Sequence, residues 1–169
     1  MTEEQVQIEP LFEVDVKMDD KILYDYMLYH TYHGLSGILG TFVGIMMIFY
    51  FIAYHASPLY LIFGVVVLFY LPVNLYLSAK KQILGNEIFK KPLHYTFTKD
   101  GLFVSQEEHK DFVAWDNMRK AVSTGKSIII YTSKVSATII PRKACDGEVT
   151  ELLAVIVSHM SPKKVKIKQ

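Results

Sequence analysis

The chain has 169 residues, of which 51% are hydrophobic, and a formal net charge of only +1; mean hydropathy is +0.22. With charge this balanced, and no basic and aromatic surface gathered on one strand face, nucleic acid is not an expected partner. A single cysteine, Cys145, excludes an internal disulfide.

Met1 to Gln7 is polar and expected to fray. Phe12, Val14, Val16 and Met18 then alternate with Glu13, Asp15 and Lys17. Period two predicts a strand with one buried face. Asp19 and Asp20 suit the start of a helix, because their oxygens accept free N–H groups and their charge complements the helix dipole. Ile22, Leu23, Tyr26, Met27, Tyr29 and His30 follow near helical spacing, and Tyr24, Tyr26, Tyr29 and Tyr32 read as an aromatic belt at a headgroup level.

Two runs without a charged residue come next, Gly34 to Tyr54 and Pro58 to Ala79. About 20 apolar residues cross about 30 Å of hydrocarbon as a helix, and lipid demands that the backbone satisfy its own hydrogen bonds. With only residues 55–57 between them, the runs predict a transmembrane hairpin over 34–79, with Pro58 at a first helical position. Lys80, Lys81, Lys90 and Lys91 follow the second run, and the turn carries no fixed charge, so both termini are expected in the cytoplasm. A cleavable signal peptide is not expected, since the flank is acidic and the first run exceeds the usual apolar core of about 7–15 residues. Ser36, Gly40 and Gly44 are spaced four apart and form a small-residue groove. The groove would serve either a second copy of the chain or the second span, where Gly64 lies on the facing side. Pro72 suits a kink, and Asn74 would face headgroups or bond to the partner helix.

Residues 80–91 read as a helix extension or a basic linker. Six short strands are then expected: Leu93 to Phe97, Leu102 to Gln106, Phe112 to Trp115, Met118 to Ser123, Ser127 to Thr132 and Ala137 to Ile140. Turns at Lys99-Asp100-Gly101, Glu107 to Asp111 and Thr124-Gly125-Lys126-Ser127 separate them, which argues an antiparallel meander or barrel. From Asp146 or Gly147, Val149, Leu152, Leu153, Ile156, Val157 and Met160 recur at helical spacing, predicting an amphipathic helix that ends before Pro162. The strand at Phe12 to Met18 would extend the sheet to six or seven strands.

A strongly bent antiparallel sheet closed by one C-terminal helix is the plan of pleckstrin-homology-like (PH-like) domains. The segments Tyr95-Thr96-Phe97-Thr98-Lys99-Asp100-Gly101-Leu102, Trp115-Asp116-Asn117-Met118, Ile128-Ile129-Ile130-Tyr131 and Ile139-Ile140-Pro141-Arg142-Lys143-Ala144-Cys145 resemble the YcxB-like family of bacterial membrane proteins. The resemblance implies an inner-membrane protein with a PH-like cytoplasmic domain over 92–169, preceded by a strand and interfacial helix over 1–33. It supplies no catalytic residue.

Candidate chemistry is sparse. Gly125-Lys126-Ser127 lacks the earlier glycine of a P-loop, because position 120 is Lys120. His30 and His33 have no third ligand of the usual kind nearby, and Cys145 has no local base. Glu107 and Glu108 sit on an expected exposed turn, which argues for solvated charges. No metal, cofactor or small-molecule substrate is expected. The spans carry no Asp, Glu, Lys or Arg, which argues against an intramembrane enzyme or transporter. The eight lysines Lys80, Lys81, Lys90, Lys91, Lys163, Lys164, Lys166 and Lys168 either face an anionic leaflet or serve topology and solubility. The expected function is a non-enzymatic, membrane-anchored protein-interaction module whose partner is itself or another protein; an immunity-type protein against a bacteriocin or toxin is one form of it. The alternative is an anionic-lipid surface binder or lipid sensor.

Overall fold

The structure, a computed structural model, describes residues 9–107, 109–133 and 136–167. The expected frayed segment Met1 to Gln7 lies outside them. The chain forms two compact units, one of Met1–Met18 with Glu87–Gln169 and one of Asp19–Asn86.

The second unit is helical. In α1 (Asp20–Tyr32), the Asp19 carboxylate accepts from the Ile22 N–H at 2.8 Å, the cap expected from the sequence. After a break at His33 and Gly34 come α2 (Leu35–Tyr54) and α3 (Pro58–Gly85). Their turn is tight: His55 takes the left-handed conformation at φ 48°, and Pro58 opens α3. The helix runs on through Pro72, Lys80 and Lys81 to Gly85, so the first part of 80–91 is an extension of α3 rather than a linker. Both helices are long and apolar enough to cross a membrane. Only 11% of the most apolar window of α2 and 6% of that of α3 is buried within the chain.

The other unit holds two four-stranded sheets. The first runs β1 (Phe12–Val16), β2 (Leu93–Phe97), β3 (Gly101–Gln106), β4 (His109–Ala114), all antiparallel neighbours. Here β1 pairs with β2 across the helical insertion, Phe12 opposite Phe97 and Val16 opposite Leu93. The second sheet has the order β7-β6-β5-β8, from β5 (Lys120–Ser123), β6 (Ser127–Tyr131), β7 (Ala137–Pro141) and β8 (Val165–Lys166). β8 is parallel to β5. The expectation of one bent sheet of six or seven strands is therefore corrected to an α+β arrangement of two sheets. The division falls where the chain turns through a 3-10 segment, Trp115–Asn117, so that β4 and β5 do not pair. Trp115 opens that turn rather than ending a strand.

Burial explains the register. Phe12, Val14 and Val16 point inward while Glu13 and Asp15 point out. All five residues of β6 are buried, which accounts for its unbroken apolar run. In α4 (Val149–His159), Leu152 and Ile156 are fully buried and Met160 follows them into the core. Val157 is 54% exposed, contrary to its expected place in the apolar stripe. It lies five residues past Leu152, about 140° around the helix, beyond the covered arc.

Trp115 joins these parts. Its ring stacks on Phe97 of β2 at 6.0 Å and on His159 of α4 at 5.0 Å, and its indole N–H donates to the Thr98 carbonyl at 3.0 Å. At the start of β3, Gly101 permits the close approach of β4: a Cβ there would stand 2.3 Å from the Val113 oxygen and 2.8 Å from the Ala114 Cα.

Candidate functional site

Of the expected helix-packing residues, Gly44 and Gly64 fall on the seam between α2 and α3 of one chain. Gly44 and Gly64 are buried against each other's helices. A Cβ on Gly44 would meet Leu68 Cγ at 2.6 Å, and one on Gly64 would meet Ile48 Cγ1 at 2.7 Å and the Gly44 oxygen at 3.0 Å. Gly40 borders the same seam through Leu71, while Ser36 is exposed. Gly37, which was not singled out, is buried under the end of α1; its Cβ would stand 2.4 Å from the Thr31 oxygen, and its carbonyl accepts from Thr41 Oγ1 at 2.8 Å. Its spacing of three from Gly34 was the available signal.

The lysines divide by what they touch. Lys90 pairs with Glu87 and Lys91 with Glu107. Lys164 donates to the Met118 carbonyl at 2.9 Å. Lys80, Lys81, Lys163 and Lys166 are exposed and make no ion pair among the described residues; Lys168 lies outside those residues.

Two arrangements were not legible beforehand. On the outer face of the first sheet, His94 Nδ1 bonds Asp15 Oδ1 at 2.8 Å, and Glu13 accepts from Thr96 Oγ1 at 3.2 Å. The bond to Asp15, with the charges of Asp15 and Glu13, raises the His94 pKa against a smaller opposing effect of burial. A histidine whose folded pKa is raised stabilises the fold below its ordinary value of about 6.5. That contribution is lost as pH rises through the raised value. The melting temperature of this unit is therefore expected to fall between mildly acidic and alkaline pH, and His94→Gln should flatten that slope. An unchanged slope in the variant would rule out the pair as its source.

The second arrangement is a cleft of about 400 Å³ along β3 and β4, lined by Ile88, Leu93, Val104, Gln106 and His109 among others. Gln106 Nε2 donates to the Ile88 and Lys91 carbonyls at 2.8 and 3.0 Å, pinning the segment that enters β2. Glu107 opens the β3–β4 turn at φ 54° and is exposed, while Glu108 lies outside the described residues. Cys145 is buried, and burial with the adjacent Asp146 charge pushes its thiol pKa up, which disfavours the nucleophilic thiolate. Among the described residues, no three His, Cys, Asp or Glu side chains gather as a metal-binding set.

No curated protein and no solved structure matches the chain significantly. The family comparison does match, across the sheets and into α4. Residues 97–154, about a third of the chain, match the family model described as YcxB-like protein.

Proposed function

We propose that this chain is a non-enzymatic protein-interaction module held on the bacterial inner membrane by the α2–α3 hairpin, with both termini in the cytoplasm. The observation that carries the reading is the outward-facing apolar surface of the two helices. Phe42, Phe49, Ile52, Phe63, Val66 and Phe69 are each about half exposed or more, and water would penalise that surface at about 25 cal/mol per Å². Tyrosines gather at both ends of the helices: Tyr50 lies against Tyr54 and Tyr60 near the turn, and Tyr24 against Tyr76 at the far end. Aromatic girdles at two interfaces suit a bilayer. From Pro58 to Ala79, α3 rises about 33 Å at 1.5 Å per residue before reaching Lys80.

The sheet-bearing unit is the interaction part. Two four-stranded sheets with α4 packed by Leu152 and Ile156 favour a PH-like plan. The edge strand β4 offers a docking surface, since Phe112 is 48% exposed and lies tilted against Phe103, with ring centroids 4.6 Å apart. Such an edge accepts a partner strand. In-cell crosslinking of the full-length protein, followed by mass spectrometry, is expected to recover one specific protein partner or a second copy through β4. A recovered toxin would select the immunity-type form. Crosslinks to lipid alone would contradict the interaction reading. They would favour the anionic-lipid binder, which Lys80, Lys81, Lys163 and Lys166, exposed and without an ion pair among the described residues, support.

A further inference from the structure

The outer side of α3 carries two hydrogen-bonding side chains, Tyr70 and Asn74. Tyr70 is 63% exposed, and Asn74 is exposed as well. Among the described residues neither the hydroxyl nor the amide has a hydrogen-bond partner. Asn74 therefore does not bond across to α2, one of the two places the sequence offered it.

The other place, the headgroups, is badly placed for it. Tyr70 lies about 18 Å along the helix axis from Pro58 and about 15 Å from Lys80, near the middle of the charge-free stretch. Asn74 lies about 9 Å short of Lys80. Helical side chains lean toward the N-terminus of their own helix, which in α3 is the turn at 55–57. The amide is thus carried away from Lys80 and into the hydrocarbon, and its short stem cannot snorkel back as a lysine can. An amide or hydroxyl left unpaired in hydrocarbon is costly.

The spacing indicates a helix as the missing partner. Phe63, Tyr70 and Leu77 recur every seven residues with Asn74 between the last two, the period of a left-handed helix pair. Phe63 and Leu77 are 54% and 58% exposed. The four residues lie about 80–140° around α3 from Gly64, to one side of the seam with α2. Tyr76, which meets Tyr24 of α1, lies about 120° from Gly64 to the other side. Both neighbouring helices leave this face open. Copies of one chain enter a membrane the same way round, so their α3 helices run parallel. A twofold axis along the membrane normal then sets like residues opposite one another. An amide carries donor and acceptor together, and so does a hydroxyl, so Asn74 and Tyr70 are each their own complement.

We infer that α3 pairs through this face with α3 of a second copy, the Asn74 amides bonded to each other and the Tyr70 hydroxyls meeting one turn deeper. This rests on the membrane reading above and gives the partner within the bilayer as the chain itself.

The test uses the full-length protein in native membranes, on a Cys145→Ser background. Oxidation with copper phenanthroline in air is expected to link Leu77→Cys into a dimer. Phe69→Cys should stay unlinked, since Phe69 is 64% exposed but lies about 140° from Gly64 on the side of Tyr76. In bicelles, energy transfer between labelled copies should be lost on Asn74→Leu at about tenfold less lipid per protein than for the parent. No dimer from Leu77→Cys, equal linking of Phe69→Cys, linking of Leu77→Cys to a different protein, or unchanged dissociation of Asn74→Leu would each overturn the pairing. If the chain resists alkaline extraction from the membrane, the membrane reading survives any of these results. Release by alkali would overturn both.

Discussion

Trp115→Ala is expected to destabilise the sheet-bearing unit by about 3–5 kcal/mol. The ring is only 7% exposed, lies between Phe97 and His159, and anchors its N–H on the Thr98 carbonyl. Its removal opens a cavity at the point where the first sheet, the β4–β5 turn and α4 meet. Domains of this kind are stable by about 5–15 kcal/mol, so a large part of the total is at stake. Trp115→Phe keeps a stacking ring but leaves the Thr98 carbonyl without its donor, at a cost of about 1–3 kcal/mol. Urea unfolding of the full-length protein in mild detergent, followed by circular dichroism and by exchange of β2 and α4 amides, separates the two. A loss below about 1 kcal/mol in the alanine variant would contradict the bridging role.

Gly64→Leu and Gly44→Leu are the corresponding changes in the hairpin. At Gly64 the added carbon would meet the Gly44 carbonyl at 3.0 Å and the Ile48 nitrogen at 3.3 Å as well as the Ile48 side chain. Backbone cannot rotate aside as a side chain can, so the helices must separate. Overpacking of this kind costs about 1–3 kcal/mol for each variant, and the two should combine non-additively because the sites touch. Gly40→Leu should cost less, since it meets only the end of Leu71 at 3.1 Å, and Ser36→Leu should leave the hairpin unchanged. Unfolding in bicelles measures the hairpin, and light scattering measures the oligomer. The expected result is a weaker hairpin with unchanged oligomeric size. A smaller oligomer with an intact hairpin would instead make the groove intermolecular.

The parts that were legible in the sequence are those with strong local signals. Absence of charge marked α2 to within a residue and the start of α3, and period two marked β1. The end of α3 was ambiguous because Lys80, Lys81 and Gln82 suit an exposed helix as well as a linker. β4 was foreshortened for a physical reason. It is an edge strand with His109, Lys110, Asp111 and Phe112 all exposed, so its outer half shows no apolar alternation. β8 is too short for any periodicity. The split into two sheets depends on which strands fail to pair, a non-local fact that no window of sequence contains. The same holds for the polar ladder: His94 and Asp15 meet across 79 positions of chain. By contrast Gly44 and Gly64 were recognisable, because small residues on two closely linked apolar helices have few other places to go.

The most direct measurement is thiol labelling of single-cysteine variants in intact bacterial cells, on a Cys145→Ser background. Ala56→Cys sits in the α2–α3 turn, and Ser161→Cys follows α4. A membrane-impermeant maleimide is expected to label Ala56→Cys in intact cells and Ser161→Cys only after permeabilisation. Protection of both until the cells are opened, or labelling of Ser161→Cys from outside, would contradict a hairpin that crosses the membrane with cytoplasmic termini.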